Sequence, residues 1–291
     1  MTLEKLKSTF SAELSEIYTL SEILELFSIF VEEKLNFSKI ELRNNLSSKL
    51  SGDISNYFLD ILKQLKNEIP YQYILGKSEF FGLNFKVSSA VLIPRPETEE
   101  LLELAIRKIK ESRKNIQELK SDNYDKSFKI LDIGTGSGII PIILKKYFQD
   151  AEISSIDFSQ EALEIAKQNA ENYDLKIDFI FGDYLSNNLS EKYDVIISNP
   201  PYIGLNEENE IEDSVKNKEP KIALFSPTSD PLIFYKKIAE DAKQFLNDNG
   251  QIFLEINQKL GKETLALFQN FSHSELLKDM SGNDRFIFVI K

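Results

Sequence analysis

Cysteine is absent from the 291-residue sequence, and histidine occurs once, at position 273. Without cysteine, the chain can form neither a disulfide nor a thiolate that acts as metal ligand or nucleophile. A single histidine excludes a histidine-cluster metal site, and a Ser-His-Asp hydrolase is improbable without a nucleophile-elbow motif. We therefore expect no metal centre and place His273 on the surface or in a loop.

Long apolar runs are also missing from the sequence. None approaches the roughly 18 residues that a membrane span needs, and residues 1–10 lack the apolar core of a signal peptide. The sequence therefore predicts no membrane association and a cytoplasmic location.

Basic residues are in the minority. The chain has 47 acidic and 35 basic residues, which gives a net charge of −12. Because an acidic chain repels a phosphate backbone, nucleic acid is disfavoured as a direct substrate. A basic protein partner fits this charge better.

The length favours two domains, since a domain commonly holds roughly 100–200 residues. Apolar residues recur at helical spacing over 21–35 and again over 53–65. This pattern predicts a bundle of four or five short helices over residues 1–72. The aromatic residues around Gly82 predict a β-hairpin within residues 73–95, and residues 96–291 then form the second domain.

A strand, a glycine-rich turn and a helix follow one another over residues 129–147. Glycines let the backbone pass close to a ligand, and the helix N-terminus presents free N–H groups. Two further strand and helix signals follow, so the sequence predicts a doubly wound α/β fold. The candidate binding residues of the turn are Asp132, Gly134, Thr135, Gly136, Ser137 and Gly138.

Acidic residues end the next two predicted strands. Asp157 stands about as far beyond the glycine turn as the carboxylate that binds ribose hydroxyls in doubly wound folds. The alternative is that Asp157 or Ser159 caps the following helix. Asp183 and Tyr184 follow the third strand, where we expect them to meet the edge and the face of an adenine ring.

The stretch Y-D-V-I-I-S-N-P-P-Y-I, residues 193–203, predicts a buried strand that ends in a stiff turn. Pro200 and Pro201 fix φ and remove two N–H donors. Asn199 offers its Oδ1 atom, and Pro200 its carbonyl oxygen, as two acceptors for a planar NH2 group. Tyr202 adds an aromatic face on which that group can stack. A common turn beside a core tyrosine is the alternative.

Prolines also flank Arg95, in the segment L-I-P-R-P-E-T-E over residues 92–99. Two prolines make the segment rigid, and we expect the following helix to begin at Glu97 or Thr98. Arg95 is therefore a candidate for substrate binding, with a plain linker as the alternative.

Together these motifs resemble the class I S-adenosylmethionine-dependent methyltransferases. N-P-P-Y is typical of members that methylate the nitrogen of a planar NH2 group. The closer resemblance is to the HemK/PrmC family of protein-(glutamine-N5) methyltransferases, which act on peptide chain release factors. It rests on Y-x-Y-I-L-G-x-x-E-F (71–80), L-I-P-R-P-E-T-E (92–99), D-I-G-T-G-S-G (132–138), S-N-P-P-Y-I (198–203), E-P-x-x-A-L (219–224) and L-E-I (254–256).

The resemblance implies a site and a reaction. S-adenosyl-L-methionine would bind at the glycine turn, Asp157, Asp183, Tyr184 and Asn199, and would leave as S-adenosyl-L-homocysteine without help from a metal. The acceptor would be the side-chain amide of the glutamine in a Gly-Gly-Gln motif of release factors. The implied catalytic residues are Asn199, Pro200 and Tyr202, and the implied substrate-binding residues are Asn199, Pro200, Pro201, Tyr202 and Arg95.

The sequence departs from the family pattern at two places. F-S-P-T-S-D-P follows the Ala-Leu pair where the family usually has glycines, and Asn257 follows L-E-I where glycine is usual. Both departures concern the predicted substrate loop, residues 204–230. Glutamine methylation of a ribosomal protein, adenine-N6 methylation of nucleic acid and an inactive cofactor-binding scaffold stand as alternative functions.

For the architecture, we predict a helical N-terminal domain joined by a hairpin to a Rossmann-like, seven-stranded, mostly parallel sheet. At the C-terminal end, we expect helices over 231–246 and 259–271 and a strand over 251–255 behind a turn at 249–250. The last strand, over 285–290, is expected to lie at an antiparallel edge.

Overall fold

The computed structural model describes residues 1–119, 127–204, 207 and 218–291, with residues 115–119 as backbone only. The chain divides into two compact units, Met1–Gly76 and Lys77–Lys291. Part of the predicted substrate loop, residues 204–230, lies outside the described residues. Within the described part, no helix is both long and apolar enough to cross a membrane.

The first unit is helical. Thr19 caps the second helix through a reciprocal capping box with Glu22, and this pairing fixes where the helix begins. In the core, the rings of Phe10 and Phe27 meet edge to face at 5.2 Å, and Phe58 lies 6.2 Å from Phe27. The helices of this unit are Leu3–Leu14, Leu20–Leu35, Lys39–Asn44, Gly52–Lys66 and Tyr71–Leu75.

The second unit opens with an antiparallel hairpin and continues as one seven-stranded sheet. The hairpin strands are Lys77–Phe80 (β1) and Leu83–Lys86 (β2); the sheet strands are Lys129–Ile133 (β3), Glu152–Asp157 (β4), Asp178–Phe181 (β5), Tyr193–Ser198 (β6), Leu246–Glu255 (β7), His273–Lys278 (β8) and Asp284–Ile290 (β9). Strands β3 to β7 are parallel to one another, whereas β9 is antiparallel to both β7 and β8. The predicted seven-stranded, mostly parallel sheet is thereby confirmed.

Unbroken apolar strands build this sheet because both of its faces are covered. Ile130 packs in one core cluster and its neighbour Leu131 in the other, since successive side chains of a strand point to opposite faces. Val195 and Ile196 divide in the same way. Among the described residues of this unit, the α-helices are Pro96–Leu119, Ile139–Tyr147, Gln160–Asn172, Lys221–Leu224, Ile233–Phe245 and Gly261–Ala266.

The strand order, β5-β4-β3-β6-β7-β9-β8, reverses direction at β3. The chain goes from β3 to β4 on one side, and it later adds β6 on the other side. In open α/β sheets, such a switch leaves a crevice outside the carboxyl ends of the two central strands. The topology therefore places a binding crevice where the glycine turn and N-P-P-Y leave the sheet.

Asn169 joins the hairpin to the glycine turn. Its side chain is fully buried on helix Gln160–Asn172. The Oδ1 atom accepts from the backbone N–H of Lys86 at 2.7 Å, and Nδ2 donates to the carbonyl oxygens of Lys86 (3.0 Å) and Ser137 (2.8 Å). One amide thus fastens the end of β2 to the turn that follows β3.

Several element boundaries differ from the sequence prediction. The helix after Arg95 begins at Pro96, because proline at the first helical position sacrifices no hydrogen bond, and it reaches Leu119. The predicted turn at 249–250 lies inside β7: Leu246 pairs with Tyr193 and Gln251 with Val195, so the residues between them bulge out.

The C-terminal strands also differ from the prediction. Strand β9 lies between β7 and β8, so the antiparallel edge is β8, which the sequence did not predict. Most of its side chains are only half-buried, which weakens the strand pattern. Helix Gly261–Ala266 is much shorter than the predicted helix over 259–271. His273 begins β8 and is exposed.

Candidate functional site

A cavity of about 540 Å³ opens at the carboxyl ends of β3, β4 and β6. This volume suits a ligand of cofactor size. The predicted site residues that line it are Arg95, Gly134, Thr135, Gly136, Ser137, Asp157, Asp183, Tyr184, Asn199, Pro200 and Pro201. Asp132, Gly138 and Tyr202 are not among the described residues of the lining. Asp132 is linked through Ser155 to the lining residue Thr135, whereas Gly138 and Tyr202 directly follow the lining residues Ser137 and Pro201 in the chain.

The glycine turn needs its glycines for two different reasons. Gly136 has φ +53°, a left-handed conformation that side chains disfavour, and its N–H donates to Asp157 Oδ2 at 2.8 Å. Gly138 also has positive φ, and a Cβ atom there would lie 3.0 Å from Cβ of Ala166. Gly138 therefore lets helix Gln160–Asn172 pack closely against the turn, instead of lining the cavity.

Asp132 supports the turn from within the sheet. It is fully buried, and its Oδ2 atom accepts from Ser155 Oγ, which in turn accepts from Thr135 Oγ1 at 2.6 Å. Its Oδ1 atom has no hydrogen-bond partner among the described residues. Burial raises the pKa of Asp132 to about 7, and the nearby charge of Asp157 adds to the rise while Ser155 opposes it.

Asp157 ends β4 at the cavity wall. Its Oδ1 atom accepts from the N–H of Ser159 and its Oδ2 atom from Gly136, both at 2.8 Å. The helix cap is Ser159, whose Oγ accepts from Ala162 N–H at 3.2 Å. Burial raises the pKa of Asp157, and the backbone donors oppose that rise. A carboxylate has about four acceptor positions, so Asp157 retains capacity for ligand hydroxyls.

The segment after β5 contributes one polar and one aromatic residue. Asp183 accepts from Leu185 N–H at 3.0 Å and from Ser186 Oγ at 2.6 Å. Tyr184 is buried, and its hydroxyl donates to Asp241 Oδ2 at 2.8 Å. Burial and the carboxylate of Asp241 raise the pKa of this tyrosine. The phenol is thus anchored away from the ligand space, although Tyr184 contributes to the lining.

Arg95 holds two walls of the cavity together. Its guanidinium lies 2.6 Å from Oε1 of the buried Glu219, and Glu219 Oε2 also accepts from Ile93 N–H at 3.2 Å. Glu219 opens the segment E-P-x-x-A-L, whose residues Lys221 to Ala223 line the cavity. The ion pair gives Arg95 a structural role that the sequence did not predict.

Asn199 follows β6 and is the start of a buried hydrogen-bond chain. Its Nδ2 atom donates to Thr98 Oγ1 at 3.1 Å, and Thr98 Oγ1 donates to Glu255 Oε2 at 2.8 Å. The hydroxyl of Tyr202 lies 3.3 Å from Glu255 Oε1. Tyr202 therefore packs behind the wall and its hydroxyl points at a carboxylate. Burial and Glu255 raise the pKa of Tyr202.

Sequence reasoning missed three residues of this site. Thr98 lies in L-I-P-R-P-E-T-E and Glu255 in L-E-I, so both stood in quoted motifs without an assigned role in the site. Phe158 lines the cavity next to Asp157 and is 58% exposed. Its signal in the sequence is a phenylalanine directly after a strand-end acid.

Asn257, one of the departures from the family pattern, has a defined place. Its Nδ2 atom donates to the carbonyl oxygen of Tyr202 at 3.3 Å and to Glu207 Oε1 at 3.0 Å. Its Oδ1 atom accepts from Lys259 N–H at 3.0 Å. The asparagine thus holds the segment after N-P-P-Y to the end of β7.

Comparison with known proteins agrees with this architecture. Residues 111–217 match the model of the methyltransferase small domain family. A solved methyltransferase from Pyrococcus furiosus has the same fold, with a TM-score of 0.50 and 16% identity over 79% of this chain and 98% of that chain.

Two curated relatives are much more similar in sequence. The release factor glutamine methyltransferase of Flavobacterium psychrophilum is 42% identical, and the match covers 99% of both chains. That of Streptococcus pneumoniae is 38% identical over 98% of both chains. This identity over nearly the full length confirms the resemblance noted in the sequence, and the chain belongs to the release factor glutamine methyltransferase family.

Proposed function

We propose that this enzyme transfers the methyl group of S-adenosyl-L-methionine to the side-chain amide nitrogen of the glutamine in the Gly-Gly-Gln motif of peptide chain release factors. The family membership supports the reaction class. The observation that carries the proposal is the position of Asn199 on the cavity wall, with its Nδ2 atom bound to Thr98. This arrangement leaves Oδ1 as the acceptor for a substrate N–H.

The chemistry required is the activation of an amide nitrogen. Its lone pair is delocalised into the carbonyl group, so the nitrogen is a poor nucleophile. Two acceptors, Asn199 Oδ1 and the carbonyl oxygen of Pro200, would hold both N–H bonds and direct the lone pair at the methyl group. They would also favour a pyramidal nitrogen, which forms only in the transition state. The N–CH3 bond would form as the S–CH3 bond breaks, and the nitrogen would then lose one proton to solvent. No strong general base is required, because the nitrogen becomes acidic only as the new bond forms.

The cavity residues fit S-adenosyl-L-methionine. Asp157 has acceptor capacity for the two ribose hydroxyls, and Asp183 is an acceptor for an amino group at the adenine edge. Phe158 offers an exposed apolar ring beside them. The backbone of the glycine turn can approach the methionine end closely. When bound, the cofactor supplies a methyl group attached to a sulfonium sulfur. After the transfer, that sulfur is a neutral thioether, which is a good leaving group.

A methyl-transfer assay with labelled cofactor tests the proposal. The intact enzyme should label a release factor, and replacement of its Gly-Gly-Gln glutamine should abolish the label. A purified ribosomal protein and duplex DNA serve as acceptors for the two alternative reactions. Label on the ribosomal protein or on DNA, with none on the release factor, would replace the proposed substrate. The net charge of −12 argues against DNA.

We further propose that residues 1–72 dock the body of the release factor. Two glycines and one side chain offer little contact area, so remote binding energy is needed to position the loop for reaction. Because the enzyme is acidic, a basic surface on the partner would make the association rate fall as salt rises.

A truncated enzyme tests the docking role. Deletion of residues 1–70 should greatly reduce methylation of intact release factor and leave cofactor binding in place. A short Gly-Gly-Gln peptide should be methylated equally poorly by both forms. Equal rates of the two forms on the intact release factor would refute the docking role.

A further inference from the structure

The hydroxyl of Thr98 lies between the amide of Asn199 and the carboxylate of Glu255, and it has only one proton. From this geometry, and on the basis of the proposed function, we propose that Thr98 and Glu255 are positioning residues. They fix the orientation of the Asn199 amide, so that Oδ1 and not Nδ2 faces the substrate nitrogen.

The direction of the hydrogen bonds follows from the chemistry of the three groups. An ionised carboxylate can only accept, so the proton of Thr98 must point to Glu255 Oε2, 2.8 Å away. The oxygen of Thr98 is then an acceptor for its other neighbour. At 3.1 Å that neighbour must be Nδ2 of Asn199, because two acceptors would repel. If the amide of Asn199 were flipped, its own NH2 group would face the NH2 group of the substrate, so that one donor would meet another.

Burial makes this orientation strict. Thr98 is 2% exposed and Glu255 is 1% exposed, so solvent cannot replace a lost partner of either group. The second oxygen of Glu255 faces the Tyr202 hydroxyl at 3.3 Å. The backbone of Glu255 is held as well, since its carbonyl oxygen accepts from the Tyr235 hydroxyl at 3.0 Å. The carboxylate therefore has a fixed position from which to orient Thr98.

The charge of Glu255 determines the direction of the chain of bonds. A protonated Glu255 can donate to Thr98, whose own proton can then point to Asn199 and stabilise the flipped amide. Burial raises the pKa of Glu255 to about 7, while Thr98, Arg285 and Tyr202 oppose the rise. The charged and titratable groups that face Glu255 are Glu97, Tyr202, Tyr235 and Arg285.

Two substitutions of Thr98 test the proposal. Thr98→Val keeps the shape and removes the hydroxyl, so the turnover number at saturating cofactor should fall by about tenfold or more, while cofactor affinity stays within about twofold. Thr98→Ser restores the hydroxyl and should recover most of the rate. Thr264→Val is the matched control, because Thr264 is equally buried but its hydroxyl donates to the carbonyl oxygen of Leu260 at 2.7 Å. This variant should keep the full turnover number.

The dependence of the turnover number on pH distinguishes a positioning role of Glu255 from a role in packing alone. In the wild type, the turnover number at saturating cofactor should fall as the pH drops through about 7, because protonated Glu255 releases the orientation. Glu255→Gln should be slower and should lose this acid limb. An unchanged acid limb in Glu255→Gln, or a Thr98→Val enzyme as fast as Thr98→Ser, would overturn the inference.

The readouts also distinguish this inference from the proposed function. The proposed function fails if the wild type does not methylate the release factor. The inference is judged instead on the turnover number of each variant relative to that of the wild type, which can be measured with any amide substrate that the enzyme accepts. A third readout needs no turnover. In ¹⁵N-labelled protein, the side-chain NH2 signal of Asn199 should move with pH in the wild type and stay fixed in Glu255→Gln. A signal that titrates identically in both proteins would refute the coupling.

Discussion

Two buried carboxylates, Asp132 and Glu255, are linked through hydroxyl groups to residues that line the cavity. On the side of the cavity where we propose that the cofactor binds, here called the cofactor side, Asp132 holds Thr135 through Ser155. On the side where we propose that the acceptor amide binds, the acceptor side, Glu255 holds Asn199 through Thr98. Burial raises the pKa of both carboxylates to about 7.

The two arrangements differ in how fully they are satisfied. Both oxygens of Glu255 face a hydroxyl, and the charge of Arg285 opposes the rise of its pKa. Asp132 has one oxygen without a partner among the described residues, and the neighbouring charge of Asp157 is repulsive. The acceptor side is thus a completed polar network, whereas on the cofactor side a negative charge is costly. We expect substitutions on the two sides to separate turnover from cofactor affinity and stability.

The largest effect should come from Asn199→Ala. In the proposed mechanism its amide is used mainly as the substrate nitrogen changes geometry, so the turnover number should fall by about 10²- to 10³-fold, with cofactor affinity nearly unchanged. Single-turnover kinetics and calorimetry measure the two quantities. The matched control is Asn247→Ala, which removes an amide that donates to Asp194 at 2.8 Å. A near-normal single-turnover rate in Asn199→Ala would contradict the mechanism.

Asp157→Ala should show the opposite pattern. The loss of one charge-assisted hydrogen bond to a ribose hydroxyl should weaken cofactor binding by about 1.5–3 kcal/mol, without unfolding the protein. Asp157→Asn retains one acceptor and should be intermediate. Calorimetry gives the affinities and circular dichroism the fold. Equal affinity of wild type and Asp157→Ala would leave Asp157 with only its backbone bonds to Gly136 and Ser159.

Asp132→Asn should change stability in a pH-dependent way. The native protein keeps the proton of Asp132 up to about pH 7. The unfolded chain loses it near pH 4, so this group makes stability fall as pH rises across that window. The amide of the variant carries no charge, so its stability relative to wild type should rise by about 2–3 kcal/mol between about pH 5 and 8. Urea unfolding at the two pH values measures this gain, and a constant difference would refute it.

Tyr202→Phe should have the smallest effect. It removes one hydroxyl at 3.3 Å from a carboxylate that keeps its bond to Thr98. We expect the turnover number to change by less than about fivefold, equivalent to a weak hydrogen bond of about 1 kcal/mol or less. Steady-state kinetics of Tyr202→Phe and Tyr235→Phe, measured side by side, compares the contributions of the two hydroxyls that contact Glu255. A loss as large as that of Asn199→Ala would assign Tyr202 a direct role.

The cofactor side was predictable from sequence because its residues are local. The glycine turn lies within seven residues of one strand end, and Asp157 follows the next strand, so periodicity and turn chemistry locate them. The acceptor side depends on Thr98, Asn199 and Glu255, which meet only after three distant segments fold together. Thr98 was expected only as a helix start, and L-E-I gave no sign that its glutamate is buried beside Asn199. The prediction for Arg95 missed Glu219 for the same reason.

The amide of Asn169 makes the hairpin and the cofactor turn one mechanical piece. The hairpin begins directly after the end of the helical unit, and its last residue, Lys86, shares that amide with Ser137 on the cavity wall. The side chain of Asn169 is fully buried, so water cannot take its place. Any displacement of the end of β2 would therefore act on the glycine turn through the three hydrogen bonds of one side chain.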